Sequence, residues 1–481
     1  MSRRGYLPVA FHLSPLTFHL DVMTNMIRKL ILILLLFSLA TTSFGANVTV
    51  SGRVNKINAL VRLLAYDDLL NMHEVELAQT YSDDQGFFLL EGSLSHTSPG
   101  RIAVGLESVD LYLAPGASYE VAITVPDIDP RASYFERKSP TIRVKTATDK
   151  GLYRQIVISE QIVNSYVLEY FDAIYRRRQY RYLDSIRATI DAELDIRDDY
   201  VRQHDDYKIA SVQMAINADG GKKVIEEYYD RKPVLYLCQP YMDLFKDLFA
   251  NKFYQAPYLM GDFEEAFWSS TEGFRRYLMS DPFMERNPRL AEMIIVYNLR
   301  TMYHEQPRLR KAVRTHLKSL GEKSAYAETR EMVRHLFAEL DRYAPGADAP
   351  DFELPSSDGT MVKLSDYKDT YVLLQFVEGS SATVDHQFEA LADLHHQWRD
   401  SVQLITVTTK DQMEAHRKRF ADHHYDWPLL NLGNDILLLE RYEVRTFPEY
   451  FFIQPQTKIG IAPASAPDRF LEEQIRALWG K

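Results

Sequence analysis

The chain has 481 residues and a single cysteine, Cys238. One thiol cannot close an intramolecular disulfide, and it cannot supply the attacking and resolving pair that dithiol exchange requires. Cys238 stands in the apolar run Val234-Leu235-Tyr236-Leu237-Cys238, where it is expected to be a buried small hydrophobe and not a reactive thiol. Concentrated positive charge is also lacking. The formal net charge is −11, which argues against nucleic acid as a partner, because phosphate binding needs a basic face. Arg176-Arg177-Arg178 is a short basic run in a Tyr/Asp-rich stretch and is expected to be a solvated helix face. There is no P-loop, no dinucleotide-binding glycine pattern and no zinc-ribbon spacing.

Long apolar runs are scarce as well. The strongest is Leu30 to Leu39, preceded by Arg28-Lys29 and followed by the small-residue exit Ser43-Phe44-Gly45-Ala46. A basic start, a short apolar stretch and a small-residue exit describe a secretory signal peptide, and the stretch falls short of the roughly 20 residues of a membrane span. Met26 is the expected true start, with an uncleaved anchor as the alternative. The exit carries no cysteine for lipid attachment. The expected location is the periplasm or cell envelope. Composition is otherwise that of a globular protein, at 46% hydrophobic and 26% charged, with 30 Tyr and 24 Phe for large cores.

The punctuation of the chain suggests several domains. Residues 1–46 hold the upstream extension and signal peptide. Over 47–125, short β-branched and aromatic runs alternate with Gly, Asp and Pro turns about every ten residues, as in a small antiparallel β-sandwich. Residues 126–147 carry Pro126, Pro130 and Pro140 and suggest a linker. From 148 to 342 the apolar spacing is helical, with Ile156, Ile162, Tyr166 and Tyr170 as its first steps. Tyr175, Tyr180 and Tyr182 are expected to serve helix packing. Residues 345–481 alternate buried strands with helices, in the β-α-β then β-β-α order of a mixed sheet flanked by helices. The predicted fold class is therefore multidomain α+β: an N-terminal β-sandwich, a helical middle and a C-terminal α/β domain.

Two resemblances refine this. The phrases VSGRV, DDQGFF and LAPGASYEV resemble the β-domain that precedes thioredoxin-like domains in many Bacteroidota envelope proteins. Ala349-Pro350-Asp351-Phe352, Asp358-Gly359, Leu364-Ser365-Asp366-Tyr367 and Tyr371-Val372-Leu373-Leu374-Gln375-Phe376 resemble the opening of the TlpA/ResA-like branch of the thioredoxin superfamily, close to the AhpC/TSA peroxidases. Tyr442 to Ile459 resembles the family's later proline-containing stretch. The family's first buried strand leads into F-W-A-x-W-C-x-x-C. Here the same positions run Phe376 to Val384, with Ser381 in place of the attacking cysteine and Val384 in place of the resolving one. No catalytic residue is therefore expected.

The resemblance implies that Pro448 is cis and that the backbone at Thr446-Phe447-Pro448 lies beside Ser381 in a peptide-holding groove. Alternatively Pro448 only shapes the strand entrance. The leading reading is a redox-inactive binding or scaffold module for an unknown periplasmic protein or peptide. The alternatives are an oxidoreductase-family protein acting with partner thiols, and a hydrolase using Ser381 with His386 and Asp385. Neither a cofactor nor a metal is expected. His395-His396 and His423-His424 diverge on a helix, His316 and His335 stand alone, and His204-Asp205-Asp206 looks like a surface turn.

Overall fold

The computed structural model describes residues 46–126, 139–194, 197–217, 219–254, 261–379, 381–433 and 435–480. The signal peptide and Met26 lie outside them.

The N-terminal strands are β1 (Ala46–Val54), β2 (Leu60–Asp68), β3 (His73–Tyr81), β4 (Phe87–Leu94), β5 (Ser98–Val104), β6 (Glu107–Leu113), β7 (Ser118–Thr124) and β8 (Thr141–Ala147). They form two four-stranded sheets, ordered β4-β1-β7-β8 and β3-β2-β5-β6. Inward residues alternate along each strand: Val48 and Val50 in β1, Phe88 and Leu90 in β4, Tyr119, Val121 and Ile123 in β7. This is the period-2 burial of a sandwich. Two findings depart from the expectation. The β1–β7 pair is parallel, so the sandwich is not purely antiparallel. The stretch taken as linker ends in strand β8, which pairs antiparallel with β7. The alternation Ile142, Val144 between polar neighbours marks that strand, and the nearby prolines obscured it.

The middle of the chain is helical. Among its described helices are α1 (Leu152–Glu169), α2 (Arg181–Glu193), α3 (Asp199–Ile216), α4 (Gln239–Phe249), α5 (Gly261–Ser269), α6 (Thr271–Leu278), α7 (Pro282–Arg286), α8 (Pro288–Glu305), α9 (Arg310–Lys323) and α10 (Ala327–Arg342). Pro282 and Pro288 open helices, where a missing N–H costs nothing. Asp281 caps α7 by accepting from the Phe283 and Met284 amides at 2.8 and 3.3 Å. None of the helices in the described residues is long and apolar enough to cross a membrane. His204-Asp205 is not a surface turn. Both side chains are buried on α3, where His204 lies 3.4 Å from Glu160 and Asp205 accepts from Arg197 at 3.0 Å. Burial lowers the His204 pKa, but hydrogen bonds to Asp205 and Glu160 outweigh it and leave the value raised. Helix periodicity, which puts 204 and 205 on the α1 side with Val201, hid beneath their polarity.

The C-terminal elements are β9 (Glu353–Pro355), β10 (Met361–Lys363), β11 (Tyr371–Val377), α11 (Ala382–Trp398), β12 (Val402–Thr408), α12 (Met413–His423), β13 (Leu429–Asn431), α13 (Leu438–Arg441), β14 (Glu449–Gln454), β15 (Lys458–Ala464) and α14 (Leu471–Leu478). The five-stranded sheet runs β13-β12-β11-β14-β15. β12 is parallel to β11 and to β13, and β14 is antiparallel to β11 and β15. Val372, Leu374 and Phe376 of β11 join the core on one face, with Ile405 and Phe451. Leu373 joins the other, with Leu404, Phe452 and Phe388. A strand buried on both faces reads as a continuous apolar run, which is why β11 stood out in the sequence. This is the expected mixed sheet flanked by helices.

Candidate functional site

β11 ends at Val377 and the chain turns through Gly379, whose φ of +67° suits glycine, into α11. Ser381 is the N-cap residue of that helix. Its Oγ accepts from the Val384 amide at 3.2 Å, a standard way to satisfy one of the free N–H groups of a first turn. Val384 is buried in the core. The two positions that carry cysteines in the family motif thus hold a capping hydroxyl and a packed isopropyl group. Neither can form a thiolate.

β14 brings the second half of the site to the same end of the sheet. Phe376 pairs with Glu449, so the turn into β14 lies at the end of β11, where Val377 stands four residues before Ser381 along the chain. The Phe447–Pro448 bond is cis. Thr446 is exposed, and Phe447 and Pro448 are half-buried, with Phe447 packed against the core that contains Phe376 and Tyr442. Thr446, Phe447 and Pro448 thus lead into β14 at the end of the sheet from which the chain leaves β11 toward Ser381.

Glu449 is a neighbour that sequence reasoning missed. Its carboxylate accepts from the Arg445 amide at 2.9 Å. Burial pushes its pKa up, against the lowering effect of the amides of Arg445 and Thr446. A Glu at the first position of a strand carries no sequence signal of such a bond; only the turn through Pro448 aims it back.

The residues of a hydrolytic arrangement are turned apart. Ser381 Oγ serves the helix cap. His386 Nδ1 lies 3.7 Å from Glu389, and both are exposed. Asp385 pairs with Arg419. A nucleophile needs a base in hydrogen-bond reach and an acid behind that base, and these three side chains do not line up that way. Cys238 is 2% exposed at the start of α4, far along the chain from Ser381. Burial pushes its pKa up to about 12, so the thiolate that nucleophilic sulfur chemistry requires is scarce near neutral pH.

The segment just before the site is anchored to the rest of the chain. Arg62 of β2 is buried and holds Glu440 of α13 through both guanidinium nitrogens, at 3.0 and 2.7 Å. Arg342 at the end of α10 bonds Glu443 at 2.6 Å, and the Tyr343 hydroxyl donates to the Arg441 carbonyl. Leu106, at the β5–β6 turn, packs against the C-terminal core.

Residues 345–461 match the model of the AhpC/TSA family. The thiol-disulfide oxidoreductase ResA of Bacillus subtilis is 26% identical over 125 residues, which are 26% of this chain and 69% of that protein. Among solved structures, the thioredoxin domain of a thiol-disulfide oxidoreductase from Bacteroides vulgatus shares 23% identity, covers 28% of this chain and 98% of its own, and has a TM-score of 0.26. A thiol:disulfide interchange protein from a Bacteroides species shares 22% identity over 29% of this chain and 93% of its own, with a TM-score of 0.27. The C-terminal part of the chain is thus a TlpA/ResA-like thioredoxin-fold domain, with Ser381 and Val384 where the family motif has its cysteines.

Proposed function

We propose that the chain is an exported cell-envelope protein whose thioredoxin-like domain is redox-inactive and serves as a binding or scaffold module. The signal-like segment at 28–46 supports export. The contact surface is the end of the sheet formed by Ser381, Thr446, Phe447 and Pro448, and its occupant is an extended segment of a periplasmic protein. Backbone pairing along an exposed edge is a recurrent way to hold such a peptide. The observation that carries this reading is the pair Ser381 and Val384: a capped hydroxyl and a buried valine stand at the two thiol positions of a retained fold.

The test is insulin reduction by the full chain with dithiothreitol. The expected rate equals that of dithiothreitol alone. A faster rate that persists in the Cys238→Ala chain would refute the proposal, because turnover would then proceed without any thiol in the protein.

The likeness to ResA favours one second reading, an oxidoreductase-family member that works with partner thiols. It requires a mixed disulfide through Cys238 in cells, lost in Cys238→Ala. The burial of that sulfur predicts that none is trapped.

A further inference from the structure

His335, solitary in the sequence, sits in a cluster that joins the β-sandwich to the last helix of the middle region. Asp67 and Asp68 close β2, His73 opens β3, and Glu331 and His335 are one turn apart on α10. One ligand atom from each of Asp67, His73 and His335 lies within 4.8 Å of the others. Glu331 Oε2 is 4.0 Å from His335 Nε2.

The roles of the two ring nitrogens of His335 follow from their partners. Nδ1 lies 3.1 Å from Asp68 Oδ2. Both residues are buried. The carboxylate oxygen accepts, so Nδ1 is the donor of this pair. Nε2 faces Arg334 Nη2 at 2.7 Å, and a guanidinium only donates. The Nε2 lone pair is therefore aimed into the cluster. A buried carboxylate that fixes a histidine in this tautomer is the usual outer support of a metal-bound imidazole.

A cation already stands at the focus. Arg334 Nη2 is 2.7 Å from His335 Nε2, and the same nitrogen is 2.6 Å from Glu331 Oε2. Its side chain is 61% exposed, so it is free to swing into solvent.

We infer that Asp67, His73, Glu331 and His335 form a site for a zinc-class divalent ion bridging β2–β3 and α10, with the Arg334 guanidinium holding the ion's place when none is bound. Two imidazoles and two carboxylates suit zinc far better than calcium or magnesium, which take oxygen ligands. One rearrangement is required. The His73 and His335 rings are stacked at 3.8 Å with planes 8° apart, and two parallel rings cannot both aim in-plane lone pairs at one ion. His73 is partly exposed, its Nδ1 bonded to Asp67 at 2.6 Å. It turns out of the stack and breaks that hydrogen bond, so that the lone pair of an unprotonated ring nitrogen faces the ion. Asp67 also lines a cavity of about 570 Å³ between the sandwich and the helices, shared with Glu328 and Tyr200, which offers an entry path.

The test loads the untagged, metal-free full chain with zinc, passes it through gel filtration and measures zinc per chain, with competition against a chelating dye for affinity. One ion per chain is expected, with a higher melting temperature than the metal-free chain. His73→Ala and His335→Ala should each weaken binding at least tenfold, and Asp68→Asn about 10- to 100-fold. Arg334→Ala should bind zinc several-fold more tightly, an effect that a merely structural role for this cluster would not give. Wild-type chain that elutes without zinc overturns the inference. So does zinc content that survives in both histidine variants, or an Arg334→Ala chain that binds no more tightly than wild type.

Discussion

His416 lies on α12 with its side chain buried and neither ring nitrogen hydrogen-bonded among the described residues. Burial, with help from the charge of Arg419, lowers its pKa from 6.5 to about 4. The folded state therefore refuses a proton that the unfolded chain accepts. Stability contributed by the neutral ring is complete above pH 6.5, falls as the pH drops through the window from 6.5 to about 4, and levels off below it. The total loss is about 3 kcal/mol, from roughly 1.4 kcal/mol per pKa unit. His416→Phe should flatten this part of the profile, measured as urea-unfolding free energy against pH. A wild type and variant with parallel profiles over that window would show that His416 does not titrate as described. At this scale the sequence was legible where chemistry is local. Ser381 and Val384 could be placed by counting from Phe376. His335 could not, because its partners Asp67, Asp68 and His73 are more than 250 positions away and only the fold unites them.

Strands and helices owe their legibility to punctuation and periodicity. Pro288 stood at the start of α8, while Pro282 read only as a break and hid the short α7; the run Tyr371 to Val377 announced a buried strand. β13 was missed because three residues hold no period, and α13 because four hold barely one turn. Within the C-terminal sheet, one feature was invisible: a polar chain through the core. The Trp427 indole donates to Thr406 Oγ1 at 3.0 Å, Thr406 donates to Gln375 Oε1 at 2.9 Å, Gln375 donates to the Tyr450 hydroxyl at 3.2 Å, and Tyr450 donates to Gln387 at 2.8 Å. It links β12, β11, β14 and α11 across the sheet. Gln375 and Thr406 are fully buried polar residues in otherwise apolar strands, and they satisfy one another. Thr406→Val keeps the shape but leaves the Gln375 oxygen and the Trp427 N–H unpaired in the core. The expected cost is about 2–4 kcal/mol, read as a lower denaturation midpoint with an unchanged m-value. A loss under about 0.5 kcal/mol would mean that the chain is not stabilising.

For the whole molecule, the decisive contacts are those between the regions, and none was legible. Arg62 looked like an ordinary polar interruption of a strand. It is buried at the sandwich surface, where it meets Glu440. Glu440→Ala would leave the buried guanidinium with the Gly105 carbonyl at 3.3 Å and the more distant Glu76 at 4.0 Å. Glu440 is itself part-exposed, so the expected destabilisation is about 2 kcal/mol and not the larger value of a fully buried pair. It should appear as faster limited proteolysis in the 433–448 segment, with the sandwich and helical regions resisting as before. Cleavage at the wild-type rate would assign the fork no role in holding this segment.

The anchoring of residues 440–443 also bears on reach. α10 ends at Arg342, and by Gly346 the backbone is already hydrogen-bonded to Ile459 at 2.7 Å, so three residues separate the helical region from the C-terminal sheet. Arg62, Arg342 and Tyr343 fasten the same face. A long flexible linker lets a domain move away from its neighbours. This domain has none between itself and the helices. The contacts of residues 440–443 and this short connection hold it in place against the sandwich and the helices.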